Sequence, residues 1–163
     1  IREYIRFIMS DQIIPLNGHV KVTAWEKQND GSEKIVYNKV IKNLIVDVGK
    51  DSILRYLGNI SLGGYANGIG VGDSTTAVSS GQTDLQASSN KLWKSIQSTS
   101  RIYVRPILFM SVDFGYSEAN FTWNELGLRD NQGTPVMWAR QVDASPLAKT
   151  TSKRAIVEWQ LSL

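Results

Sequence analysis

Lys153-Arg154-Ala155-Ile156-Val157-Glu158-Trp159-Gln160-Leu161-Ser162-Leu163 is the stretch whose reading decides the fold. Ala155, Val157, Trp159, Leu161 and Leu163 fall at every second position, with Glu158, Gln160 and Ser162 between them. Successive strand side chains point to opposite faces, so this period lays one apolar row on a core and one polar row towards water. The same alternation runs through Leu108, Met110, Val112 and Phe114, within a strand read from Ile107 to Phe114 and led into by Ile102 and Val104. Phe121 and Trp123 open a further strand that reaches Leu126 and Leu128. Asp130-Asn131-Gln132-Gly133 then reads as a turn, Pro135 to Val142 as the return, and a loop through Pro146 leads into the closing strand.

The N-terminal half carries the same signals. Val20, Val22 and Ala24 alternate with Lys21 and Thr23, and Gln28-Asn29-Asp30-Gly31-Ser32 supplies a turn, with Asp30-Gly31 its strongest hairpin signal. Glu33 to Asn43 reads as the returning strand, rich in Ile35, Val36, Tyr37, Val40 and Ile41. Asp47 is placed to cap a short helix with apolar positions Val48, Ile53, Leu54 and Leu57, and Gly58 to end it in the left-handed conformation. Gly49 weakens that helix by about 1 kcal/mol relative to alanine. One helix of about three turns is expected.

Gly63, Gly64, Gly68, Gly70 and Gly72 follow. Gly68-Ile69-Gly70-Val71-Gly72-Asp73 fails the dinucleotide fingerprint, because Asp73 stands where the third glycine belongs. It also lacks the Lys-Ser/Thr ending of a phosphate loop. The stretch reads as a strand whose glycines permit close backbone packing. Ser74 to Asn90 is polar and reads as a long surface loop, with one helical turn around Asp84-Leu85-Gln86. A loop of that length is a candidate partner contact. In all, about eight or nine strands with one or two short helices are expected, an antiparallel β-sandwich or barrel, mainly β.

With 163 residues, residues 16–163 fit a single domain, preceded by an arm over residues 1–15. In that arm Ile1, Ile5 and Ile8 share a helical face, whereas Ile5, Phe7 and Met9 share a strand face. Ile1, Ile5, Phe7 and Ile8 are the candidate interface residues, in an arm that either docks on a neighbouring subunit or stays partly ordered. The segment has no uninterrupted apolar core and no small-residue cleavage site, so a secretory signal is not expected. No stretch approaches the roughly 18–20 apolar residues of a membrane-spanning helix, and no membrane partner is expected.

The 42% apolar and 20% charged composition is that of an ordinary globule. The sequence has no cysteine, which excludes disulfides, zinc ribbons and thiol nucleophiles. Net charge is +3 and the basic residues are dispersed, so no specific nucleic-acid partner is expected. The only histidine, His19, opens a strand beside Gly18 and reads as solvent-facing. A triad needs nucleophile, base and orienting acid in mutual reach, and neither catalytic residues, a metal site nor a cofactor is expected.

Glu125, between Trp123 and Leu126, is the carboxylate that stands out. A buried carboxylate must be paired or hydrogen-bonded. It serves either as a general acid or as a structural bridge to an arginine such as Arg129 or Arg140, and the structural role is the one expected. Trp25, Trp93, Trp123, Trp138 and Trp159 suggest either a core and a subunit interface or a sugar-stacking platform. Four of them lie in strands as read here, which favours the core, and an exposed pair would favour the sugar. Structural weight is therefore assigned to Glu125, Gly70, Gly72, Arg140 and Trp159.

Three blocks, in order, carry a resemblance: Asn43-Leu44-Ile45-Val46-Asp47-Val48-Gly49-Lys50-Asp51; Ile69-Gly70-Val71-Gly72-Asp73-Ser74-Thr75-Thr76-Ala77 with Thr83-Asp84-Leu85; and Glu118-Ala119-Asn120-Phe121-Thr122-Trp123-Asn124-Glu125-Leu126-Gly127-Leu128-Arg129-Asp130. The third continues through Gly133, Ala139-Arg140 and Lys149-Thr150-Thr151-Ser152. In this order the chain resembles a family of tailed-bacteriophage virion proteins that includes tail-fibre and collar-type attachment domains and small accessory structural proteins. The resemblance implies a β-sandwich-like module in the virion, assembled in the host cytoplasm, that self-associates (often as trimers) and has no catalytic residues to carry over. It makes Glu125 a fold-defining acid. A fibre would continue into a shaft beyond Leu163, so the expectation is a capsid decoration or cement protein bound to the major capsid protein. Attachment to tail or baseplate proteins is the alternative, and a carbohydrate-binding module is the alternative from another class.

Overall fold

The computed structural model describes residues 17–59, 64–131 and 134–162. The arm residues Ile1, Ile5, Phe7 and Ile8, together with Gly63, Gln132, Gly133 and Leu163, lie outside the described residues. Ten strands form two five-stranded antiparallel sheets packed as an open sandwich rather than a closed barrel. In chain order they are β1 (Asn17–Lys27), β2 (Glu33–Lys42), β3 (Leu44–Ile45), β4 (Ala66–Gly72), β5 (Lys91–Ser95), β6 (Arg101–Val104), β7 (Ile107–Phe114), β8 (Thr122–Asp130), β9 (Met137–Ala148) and β10 (Lys153–Ser162). The first sheet runs β2-β1-β10-β7-β6 and the second β3-β9-β8-β4-β5. One helix, α1 (Asp47–Leu57), and a 3₁₀ turn (Ser98–Ser100) complete the described elements.

The alternation of β10 does what its period dictates. Ala155, Val157, Trp159 and Leu161 are buried in the middle of the first sheet, registered against Val20, Val22 and Ala24 of β1 and Met110, Val112 and Phe114 of β7. Ile69, Val71, Leu126, Leu128 and Ala139 face them from the second sheet. Phe114 and Trp123 meet edge to face across the sandwich, with ring centroids 5.0 Å apart and planes at 68°, the arrangement that aromatic quadrupoles favour.

Several local expectations need correction. The β1–β2 hairpin forms, and Gly31 takes φ +83° as its turn requires. Asp47 is the first helical residue rather than the cap: Val46 holds that place without a side-chain bond, and Asp47 pairs with Lys50 at 2.9 Å. Gly58 does end the helix, at φ −79°, while Asn59 takes the left-handed φ of 52°. Leu54 points into solvent, 67% exposed. Gly49 does more than weaken the helix. A Cβ there would collide with the Trp138 backbone, so glycine is what lets α1 lie on β9.

Asp130, read as the first residue of a turn, is the last residue of β8. It is buried at the end of β8, where it accepts from Ser52 Oγ at 2.9 Å and from the Val136 N–H at 2.8 Å. The segment around Pro146 belongs to β9, which bulges out of register with β8 between Val142 and Leu147. The bulge carries Asp143 to the other sheet, where Tyr37 and Lys39 of β2 bind it. β5 was not anticipated as a strand, and no helical turn forms at Asp84-Leu85-Gln86. His19 lies on the outer face of β1, half-buried.

Candidate functional site

The outer face of the second sheet is built on small residues. Gly70 pairs with Gly127, and Gly72 with Glu125, across β4 and β8, while Gly127 pairs with Arg140 across β8 and β9. Side chains there would leave no room for what lies above. The Trp93 indole of β5 covers the two central glycines, and a Cβ would meet it at 2.5 Å from Gly70 and 2.8 Å from Gly127. Arg129 lays its guanidinium 4.6 Å from the ring centroid, and the indole N–H donates to Asp84 at 3.1 Å. At Gly72 a Cβ would collide with the Glu125 carboxylate.

Over this floor runs the segment 73–90. Leu85 and Ala87 are buried against the sheet, with Leu85 3.0 Å from where a Gly127 Cβ would stand. Glu125 and Arg140, whose side chains are fully buried, form the centre of the attachment, with Nε donating to Oε2 at 2.7 Å. Glu125 also accepts the Gln86 N–H at 2.9 Å and the Ala87 N–H at 2.7 Å. Arg140 donates to the Thr76 carbonyl at 2.9 Å and to Gln82 Oε1 at 3.0 Å. Asn124 ties the start of the segment by donating to the Asp73 carbonyl at 2.6 Å. Burying an ion pair is tolerable only when its remaining donors and acceptors are satisfied. Here the loop backbone satisfies them, so a polar segment stays fixed while Thr75, Thr76, Ala77, Ser79, Ser80 and Gly81 remain exposed.

The choice of arginine beside Glu125 thus resolves geometrically. Arg140 pairs with it; Arg129 shares its face but stacks on Trp93. Gly70 and Gly72 lie in the floor of the same face, whereas Trp159 is in the opposite sheet's core, 0% exposed.

A second anchored cation was not singled out from the sequence. Lys149 is 2% exposed and donates to the carbonyls of Gly115 (2.9 Å), Glu118 (3.1 Å) and Thr150 (3.3 Å) and to Asn120 Oδ1 (3.0 Å). Burial pushes its pKa down. The ammonium shapes the turn before β8, in which Ala119 takes φ 49°. The blocks around Glu118–Asn120 and Lys149–Thr150 are therefore one physical unit, a link that only their joint presence hinted at.

The first sheet's outer face is open by comparison. Trp25 is half-buried under the Arg154 guanidinium at 4.4 Å, and Arg154 makes two 2.8 Å bonds to Glu33. Tyr116 donates to Glu33 as well, and the hydrogen bonds from Arg154 and Tyr116 hold that carboxyl down at about 2. Both edges of this sheet expose apolar residues: Ile35, Val36 and Val40 on β2, and Ile102, Tyr103 and Val104 on β6.

Trp123, Trp138 and Trp159 are buried, and Trp25 and Trp93 lie on different sheets, each beneath an arginine. Among the described residues no group of three or more His, Asp or Glu side chains is placed to hold a metal, and no helix is long and apolar enough to cross a membrane. Comparison with protein-family models, with curated proteins and with solved structures finds no match to this chain.

Proposed function

We propose that this chain is a non-enzymatic structural protein of a tailed-phage particle, working through subunit contacts as a capsid decoration or cement protein. The observation that carries the contact role is the pair of sheet edges. Ile102, Tyr103 and Val104 of β6 are each more than half exposed, at 58%, 65% and 58%, and Ile35 and Val40 of β2 are 53% and 57% exposed. Large apolar side chains exposed along a sheet edge suit a contact with a partner, and an edge strand offers backbone groups to one. The virion address rests on the three sequence blocks, two of which converge on the Glu125–Arg140 clamp. Weak contacts repeated around a symmetric assembly become stable through high effective concentration, and a homotrimer is the assembly we favour.

The sugar-binding reading has less support, because Trp25 and Trp93 each present a face already taken by a guanidinium. Quantitative mass spectrometry of purified virions tests the proposal. Copies near the number of major shell subunits support shell decoration, and a few copies to a few tens move the protein to the tail. Its absence from virions overturns the structural-protein reading.

A further inference from the structure

A groove of about 700 Å³ opens at one end of the sandwich, between α1 and the β6–β7 edge. Small-molecule sites fall in this range, roughly 300–1,000 Å³. Strand pairing explains what one wall carries. Arg101 stands opposite Met110, and Tyr103 opposite Leu108, across β6 and β7. These four share one face of the sheet, while Ile102 and Val104 take the other. Tyr56 of α1 and Tyr65, just before β4, bring two more rings to the groove.

Arg101 alone is charged among the residues that line it. Its guanidinium lies 5.3 Å from the Tyr65 ring centroid, and Nη2 donates to the Ala66 carbonyl at 3.2 Å and to Asn67 Oδ1 at 2.7 Å. Both acceptors are neutral. Nη1, which is not buried, has no hydrogen bond among the described residues. Arg55, Arg140 and Arg154 each have a carboxylate at 2.7 or 2.8 Å; Arg101 pairs with none among the described residues.

A guanidinium keeps its charge in any protein, and a hydrogen bond to an ionised partner is about twice as strong as a neutral one. A plain hydrocarbon would cover the apolar walls and leave this cation unpaired. A peptide would bring backbone N–H and C=O groups that such walls do not pair. A carboxylate at the end of an apolar chain meets both demands.

We infer that the groove binds an amphipathic carboxylic acid, its carboxylate on Arg101 and its alkyl chain along Leu108, Met110 and Leu161. The inference goes beyond the virion reading and does not rest on it; failure of either leaves the other standing.

Isothermal titration of the full chain with decanoate, decan-1-ol and decyltrimethylammonium tests it. Decanoate should bind once per chain, about tenfold or more tighter than the other two, as a charged hydrogen bond provides. Octanoate should bind more weakly, by about fourfold for each methylene removed. Arg101→Met should bring decanoate down to the level of decan-1-ol and leave decan-1-ol itself unchanged, which also reports that the groove is intact. Arg101→Lys should keep the preference for the acid, and it decides the matter if Arg101→Met binds neither compound. Equal affinities for the three head groups, no saturable decanoate binding, or a preference for the acid that survives Arg101→Met would each overturn the inference, as would its loss in Arg101→Lys.

Discussion

The two outer faces of this sandwich solve the same problem in opposite ways. The second sheet's face is built on glycine, roofed by the segment 73–90, and has a fully buried Glu125–Arg140 pair at its centre. The first sheet's face has no roof among the described residues, and its main ion pair, Glu33–Arg154, lies at the surface with side chains 30% and 26% exposed. The difference teaches that charge is no guide to where a residue sits. Arg140 and Arg154 are both strand residues paired with glutamate, yet one fastens a loop and the other covers a tryptophan.

The comparison breaks most sharply at Arg140. Arg140→Met leaves the Glu125 carboxylate buried without its partner and is expected to cost about 3–5 kcal/mol in denaturant unfolding. Limited proteolysis would then cut within 73–90. Lys149→Met strands a set of carbonyls that the ammonium now satisfies and is expected to cost about 1–3 kcal/mol, with near-ultraviolet circular dichroism reporting Trp123 as the turn before it loosens.

Gly70→Ala drives a methyl into the Trp93 indole, an overpacking cost of about 1–3 kcal/mol. Adding Trp93→Leu should recover part of that loss, and a cycle with strictly additive costs would sink the contact as its cause. Arg154→Met, on the open face, should cost less than about 1 kcal/mol, as exposed pairs do. A cost for Arg154→Met matching that of Arg140→Met would erase the contrast between the faces.

The smallest effect is one of pH. Glu33 has its pKa lowered from 4.5 to about 2 in the folded chain, so the native state takes up that proton less readily than the unfolded chain. Its stabilisation is complete above pH 4.5 and is lost as the pH falls through 2. The melting-temperature difference between the unmodified chain and Glu33→Gln should close across that window; a difference that stays constant would mean the Arg154 and Tyr116 bonds contribute nothing.

How far these features could be read in advance varies with their range. The β10 row, the Asp30-Gly31 hairpin and the helix over Asp47–Leu57 are local patterns, in which neighbouring residues carry the whole signal. β5 escaped because Lys91-Leu92-Trp93-Lys94-Ser95 offers little alternation of its own and is ordered by the glycines beneath Trp93. Pro146 read as a loop because proline cannot donate to a ladder, yet it stands where β9 bulges away from β8.

The sequence by itself determined the β class, an antiparallel sandwich or barrel, the position of the helix, and Glu125 as an acid in need of a partner. Periodicity and turn chemistry act over a few residues and are written along the chain. Only the tertiary structure decided that the partner is Arg140, that Gly70 and Gly127 seat Trp93, that Lys149 binds the turn at Glu118–Asn120, and that the sandwich stays open. Those contacts join residues on different strands, and strand order and register, which no local pattern encodes, determine which side chains meet.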